Sequence, residues 1–418
     1  MKNIIINGGN ALDGSVKLQG SKNSSLPILA ASVAMNGVSV IHNCPMLSDV
    51  SAAIKILEHI GCKVKCEGNT VTVDSTGASH FDISEQLMRE MRSSIVFLGA
   101  LLARFGMARV TPPGGCEIGL RPIDMHLSSL RSMGVEIIET GGILDCTARN
   151  GIKGCSISLA FPSVGATENI MLASLGASGE TVINNAAREP EIRDLADFLN
   201  ECGAKISGAG QSVIRIEGGS LLKHVEHTVI PDRIVASTYM AAAVSAGGKI
   251  AIKSINREHL VPVLHTFDIT GCKLEFGENE LILEAPSRPG RVRYIRTMPY
   301  PGFPTDSQAV IMAMLTRARG TSVINENIFE NRFRHVPELI KMGADIRVEN
   351  NCVAVVEGVG RLHAANVTAS DLRGGCALAV AALGAEGTTV IGQIHHIDRG
   401  CEAIEKDLAL LGADIKRE

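Results

Sequence analysis

The 418-residue chain has no tryptophan, and aromatic residues make up only 3% of it. Its core must therefore be aliphatic and small-residue, which the many alanines and 43 glycines allow through close helix packing. Basic residues are not in excess: the formal charge is -4, which removes the electrostatic footprint of a nucleic-acid binder but leaves local positive pockets for small anions open. Long apolar runs are also missing. The best, SIVFLGALLARFGMA at 94–108, is interrupted by Gly99 and Arg104 before it reaches the roughly 18 residues a membrane span needs. No GxGxxG follows a strand and no GxxxxGK[ST] occurs, so nucleotide binding through the common glycine loops has no support. The eleven cysteines have no framework spacing, and MKNIIINGGN is not a charged-then-apolar leader, so a cytoplasmic protein with free thiols is expected. Cys62 and Cys66 in CKVKC would share one strand face, but no second pair with zinc spacing follows; neither a metal nor a cofactor is expected.

What is present is a repeat. A small-residue helical run followed by a β-rich segment recurs as NGVSVI, FGMARV, SGETVI, GGKIAI, RGTSVI and EGTTVI. An amphipathic helix ending in glycine and a strand recurs at Gly61, Gly134, Gly203, Gly271, Gly343 and Gly412, which lie 68 to 73 residues apart. Each glycine stands at a helix C-cap, where a left-handed backbone costs least without a Cβ. Six units of about seventy residues, each reading helix, strand, helix, strand, strand, fill the chain. The sixth stops at ADIKRE without its last strand, and the orphan strand NIIIN near position 4 is expected to complete it. Three units per domain place 21–229 in one domain and 1–20 plus 230–418 in the other. Runs such as IVASTYMAAAVSA are apolar all round, so these helices belong inside each domain with sheets outside. The expected fold is α/β: a two-domain inside-out α/β barrel.

Residues that break the repeat are the informative ones. Each unit puts polar groups where its apolar helix begins: Lys22 and Asn23, Arg89 and Arg92, the turn PSVGATEN, Asp232 and Arg233, Asp306 in YPGFPTDSQ, and Asp371 and Arg373. Helix N-termini bind anions. Lys22 alone reads equally as a solvated lysine, and Asp306 as an ordinary N-cap. Arg121, Arg332, Arg334 and Arg399 stand in turns, where a guanidinium matches phosphate or carboxylate in a bidentate fork. Cys116 sits in PPGGCEIGLRP, a backbone-shaping loop. Arginines around such a thiol would lower its pKa and make it an acid or nucleophile at neutral pH. His395 and His396 read as a strand end entering a turn.

Taken in order, GSKNSSLPIL, PPGGCEIGLRPIDMH, FPSVGATEN, REPEI, PGFPTDSQA, ENRFRHVPEL, SDLRGG and HIDRGCE resemble the segments of the UDP-N-acetylglucosamine 1-carboxyvinyltransferases, enolpyruvyl transferases that open bacterial peptidoglycan synthesis. The resemblance implies two inside-out lobes of three repeats with the active site in the interdomain cleft. It also implies transfer of the enolpyruvyl group of phosphoenolpyruvate to the 3-hydroxyl of UDP-N-acetylglucosamine by addition and elimination. It assigns the acid to Cys116, which fosfomycin would modify covalently, and the base to Asp306. Lys22, Asn23, Arg121 and Arg399 match the phosphoenolpyruvate contacts. Arg92, the run Arg121, Pro122, Ile123, Asp124 and Met125, the run Phe161, Pro162, Ser163 and Val164, Asp306 and Ile328 match the UDP-sugar contacts. Arg332 and Arg373 match further active-site positions. Glu117 departs from the small residue frequent there, and its carboxylate would raise the pKa of Cys116. The cysteine loop counts against the related 5-enolpyruvylshikimate-3-phosphate synthases. The presence of both Cys116 and Asp306 counts against a catalytically silent sensor of UDP sugars.

Overall fold

A computed structural model describes residues 2–114, 118–119, 121–219 and 224–418. Six helices carry no polar stripe, so only burial on all sides suits them. Three of them, Lys22–Ala34, Phe97–Phe105 and Val164–Ser174, pack against one another in one compact unit. Arg233–Ala246, Thr305–Leu315 and Leu372–Leu383 do the same in the other. In Arg233–Ala246 every residue except Ala246 is buried, and in Leu372–Leu383 every residue except Leu372. Outside them stand amphipathic helices and sheets, the inside-out arrangement expected from the apolar runs. All six repeat glycines have φ between 85° and 105°, the left-handed conformation that turns each outer helix into its strand.

The main sheet of each repeat is built the same way. The strand after the inner helix, for example Val38–His42, pairs antiparallel with Thr70–Asp74, which pairs antiparallel with Lys63–Glu67. A further strand, absent from the sequence reading, lies parallel on the outer edge: Val225–Thr228 on Val38–His42, Ser156–Ser158 on Glu180–Asn184, Tyr294–Arg296 on Thr321–Asn325. In the second repeat this place is taken by residues 81–83, bonded to Arg109 through Phe81 O and Ile83 N. In the sixth repeat Ile4–Asn7 fills the position of the missing strand, antiparallel to both Thr388–Gly392 and Asp414–Arg417. By contacts, one unit holds residues 2–19, 118–119 and 231–418, the other residues 20–114, 121–219 and 224–230. Ile118 groups with the former because its carbonyl accepts from Asn331 N at 2.9 Å. Cys62 and Cys66, expected on one strand face, do not share one. Cys62 precedes the strand Lys63–Glu67 and is buried, whereas Cys66 lies within it and is exposed.

The inner helices approach closely at Gly99, where an added Cβ would sit 2.4 Å from the backbone oxygen of Asn169. Forced separation of packed helices costs about 1–3 kcal/mol. Gly99→Ala should therefore lower the midpoint of urea denaturation by a corresponding amount, and an unchanged midpoint would mean that this packing is not tight.

Candidate active site

In the unit that contains Asp306, three helix starts converge. Asp306 does not cap its helix: the N-cap position is Pro304, without a side-chain bond. Two arginines hold its carboxylate instead, Arg332 Nη2 donating to Oδ1 at 2.5 Å and Arg373 Nη2 to Oδ2 at 3.4 Å. Arg332 also donates through Nε and Nη2 to the Thr305 carbonyl at 3.2 and 3.1 Å. The Arg332 and Arg373 side chains are 3% and 6% exposed and that of Asp306 29%, so the carboxylate is the part of the cluster open to a ligand. Burial opposes the charge on Arg373, but Asp306 and Asp232 outweigh it and raise the arginine's pKa. Asp232 and Asp371 are true caps. Asp232 accepts from Ile234 N and Val235 N at 2.8 and 3.1 Å, and Asp371 from Arg373 N and Gly374 N at 3.0 Å each.

Glu326, which the sequence reading passed over, organises the neighbouring loop. It is 2% exposed and accepts four hydrogen bonds, from Thr297 Oγ1 and Thr305 Oγ1 at 2.9 Å each, Ile328 N at 2.8 Å and Phe329 N at 3.2 Å. Ile328 and the start of the Asp306 helix are thereby fixed to one carboxylate. His335 is buried against this cluster. Burial, with Arg332 acting in the same direction and Asp371 against it, lowers its pKa to about 4, so it is neutral. Arg399 ends the short 3-10 turn Ile394–Arg399 that carries His395 and His396 after the strand Thr388–Gly392. Gln19 grips the next residues, donating to Gly400 O at 3.1 Å and accepting from Glu402 N at 2.9 Å.

In the other unit Lys22 opens the first inner helix and is not a solvated lysine: its side chain is 12% exposed and pairs with the buried Asp49 at 3.3 Å. Arg92 begins the 3-10 turn Arg92–Val96 ahead of the second inner helix, and Ser163 caps the third by accepting from Ala166 N at 3.3 Å. Phe161 stands exposed beside that cap. Arg92 and Arg121 both act on His126, a second residue the sequence reading missed. Burial first, then these two arginines, push its pKa down to about 4. The Asn169 amide determines its tautomer. Oδ1 accepts from Gly99 N at 2.7 Å, so Nδ2 donates, to Ile95 O at 2.9 Å and His126 Nδ1 at 2.7 Å, which leaves the imidazole proton on Nε2. Asp124 and Met125 form the first turn of the helix that bears His126, and Pro122 and Ile123 lead into it. Cys116 lies outside the described residues.

The EPSP synthase (3-phosphoshikimate 1-carboxyvinyltransferase) family model matches residues 6–408. The UDP-N-acetylglucosamine 1-carboxyvinyltransferase 2 of Caldanaerobacter subterraneus subsp. tengcongensis is 52% identical over 412 residues, covering 99% of this chain and 98% of that one. The chain belongs to the EPSP synthase family of enolpyruvyl transferases. Within that family, the UDP-N-acetylglucosamine 1-carboxyvinyltransferase of Trichlorobacter lovleyi is 48% identical over 417 residues, covering 100% and 99% of the two chains. The enolpyruvyl transferase NikO of Streptomyces tendae shares the fold with a TM-score of 0.90 and 28% identity, over 100% of this chain and 98% of that one. An EPSP synthase from Acinetobacter baumannii matches with a TM-score of 0.76 over the whole of both chains at 18% identity, which speaks for the fold alone.

The third inner helix also carries a buried acid, Glu168, which Arg121 influences. Glu168 is raised well above its ordinary 4.5 by burial and then by Glu191 and Glu189, against the pull of Arg121. The unfolded chain loses this proton near 4.5 while the folded chain keeps it far longer, so stability falls as pH rises above 4.5, by up to about 1.4 kcal/mol per pH unit, until the folded pKa is reached. Glu168→Gln should be as stable as the parent near pH 4 and more stable at pH 8 in urea titrations; a gain of equal size at both would show that ionisation is not the cause. Glu326→Ala strands two buried hydroxyls and two amides, each at about 1–3 kcal/mol if left unpaired. It should lower both the melting temperature and the affinity for any ligand that Asp306 touches, whereas full retention of both would remove Glu326 from its organising role.

Proposed function

We propose that the protein transfers the enolpyruvyl group of phosphoenolpyruvate to the 3-hydroxyl of UDP-N-acetylglucosamine and releases phosphate, the first committed step of peptidoglycan synthesis. The observation that carries this reading is the full-length similarity to relatives of that name, at 45–52% identity in the matches with Caldanaerobacter and Geotalea proteins. The Asp306 cluster supports it chemically. Addition needs a base on the sugar hydroxyl and an acid on the methylene carbon of phosphoenolpyruvate. Asp306, whose side chain is 29% exposed, takes the hydroxyl proton as the sugar oxygen bonds to the central carbon. Cys116 delivers a proton to the methylene carbon. In the elimination the thiolate left on Cys116 takes a proton back from that carbon, the double bond re-forms, and the carbon–oxygen bond breaks to release phosphate. Lys22, Asn23, Arg121 and Arg399 hold the phosphoenolpyruvate anion and stabilise the departing phosphate. Arg92, the run Arg121 to Met125, the run Phe161 to Val164, and Ile328 bind the UDP sugar, with Arg332 and Arg373 positioning the base. No step calls for a metal or cofactor, and the substrates place the reaction in the cytoplasm.

The test is phosphate release from phosphoenolpyruvate by the purified protein, with UDP-N-acetylglucosamine or 3-phosphoshikimate as acceptor. Release should require the UDP sugar and fall by about 10²–10⁴-fold in Asp306→Asn, the range for loss of one proton-transfer group. Fosfomycin should add its mass to the parent but not to Cys116→Ala. Release with 3-phosphoshikimate alone would transfer the protein to the other branch of the family, and no release with either acceptor would leave a binding protein.

A further inference from the structure

The helix that carries Arg373 and the turn that carries Arg399 meet at a pair of thiols. Cys376 and Cys401 are 0% and 1% exposed, and their sulfurs are 3.6 Å apart. The approach is close because the helix is glycine-rich where the turn crosses it: a Cβ on Gly375 would sit 2.6 Å from Ile397 Cγ1, and one on Gly400 would sit 2.6 Å from Leu372 Cδ2. A disulfide needs its sulfurs about 2.05 Å apart, so closure requires a movement of roughly 1.5 Å. Cys376 is one turn from Arg373, and Cys401 is two residues from Arg399. The setting also favours reaction. The hydrogen bond from Cys401, opposed by burial and aided by Arg373, holds the Cys376 thiol below its usual value, while Cys401 is held well above. Thiolate character at one member of a pair is what thiol oxidation requires.

We propose that Cys376 and Cys401 are a peroxide-responsive pair whose disulfide fixes the Arg399 turn against the Arg373 helix and slows the enzyme. The Cys376 thiolate attacks one oxygen of hydrogen peroxide, the O–O bond breaks, and the hydroxide released takes a proton to leave as water. Cys376 is then a sulfenic acid. The Cys401 sulfur attacks the Cys376 sulfur, the S–O bond breaks, and hydroxide leaves with the Cys401 proton as a second water. Two thiols lose two electrons in total, and peroxide gains them. Because the pair is buried, the rate follows local opening of the turn, which Gln19 holds on its other side. The link to activity rests on the role proposed for Arg399 above; the disulfide itself does not.

The experiment treats the reduced, full-length protein with hydrogen peroxide, blocks the remaining thiols with N-ethylmaleimide after unfolding, and maps unreduced peptides by mass spectrometry. The expected result is a peptide joining Cys376 to Cys401, two hydrogens lighter than its parts, and amide exchange at 395–401 at least tenfold slower, both reversed by dithiothreitol. The rate of enolpyruvyl transfer should fall at least tenfold in step with the cross-link, and Cys401→Ser should lose the part of the peroxide response that does not come from Cys116. Oxidation of Cys116 without any 376–401 peptide would overturn the proposal. A cross-link with unchanged exchange and unchanged rate would overturn its consequence for the turn. A cross-link with slowed exchange in a protein that transfers no enolpyruvyl group would uphold the switch and refute the enzyme reading instead.

Discussion

Everything in this molecule follows from helices that are buried on every side. An apolar helix surrounded by protein can place charge only at its ends, where free backbone N–H groups favour anions and where side chains can escape the core. The repeat supplies three such ends per unit, and in the unit containing Asp306 the start of one inner helix sends Arg373 to the carboxylate at the start of another. Asp232 and Asp371 spend their oxygens on caps, and Asp306 spends its oxygens on arginines. Near the same point in three copies of one motif, two aspartates cap their helices, while the third, the second residue of its helix, pairs with arginines.

Buried charge must be held by partners, and here the partners also do the positioning. Arg332 reaches Asp306 with a fork that the Thr305 carbonyl keeps in place, and Glu326 ties that helix start to the loop of Ile328. In the other unit the Asn169 amide joins two inner helices and, in doing so, determines which nitrogen of His126 bears its proton. Neutral His126 and His335, each lowered to about 4, put polar surface beside cationic groups without adding to their charge.

The architecture was legible because it is nearly periodic: six glycines 68 to 73 residues apart mark six helix-to-strand turns whatever the rest of the sequence does. The parallel edge strands were not legible, since three residues such as Ser156–Ser158 contain too little alternation to register and are defined by the neighbour they pair with. The charged helix starts were visible as a pattern. Their division of labour was not, because whether an aspartate caps or turns toward an arginine depends on residues 26 and 67 positions away. Glu326, Asn169 and His126 are ordinary residues in the sequence, and only the fold brings their partners to them.

The strand Ile4–Asn7 lies between strands that begin at Thr388 and Asp414. A ribosome makes it about 380 residues before the first of these neighbours exists. During that interval an apolar strand emerges without a sheet, while the unit of residues 20–230 can already close around its own three helices. The order of synthesis therefore separates the two units in time. Until then the edges of an apolar strand stay unpaired beside a unit that has already folded.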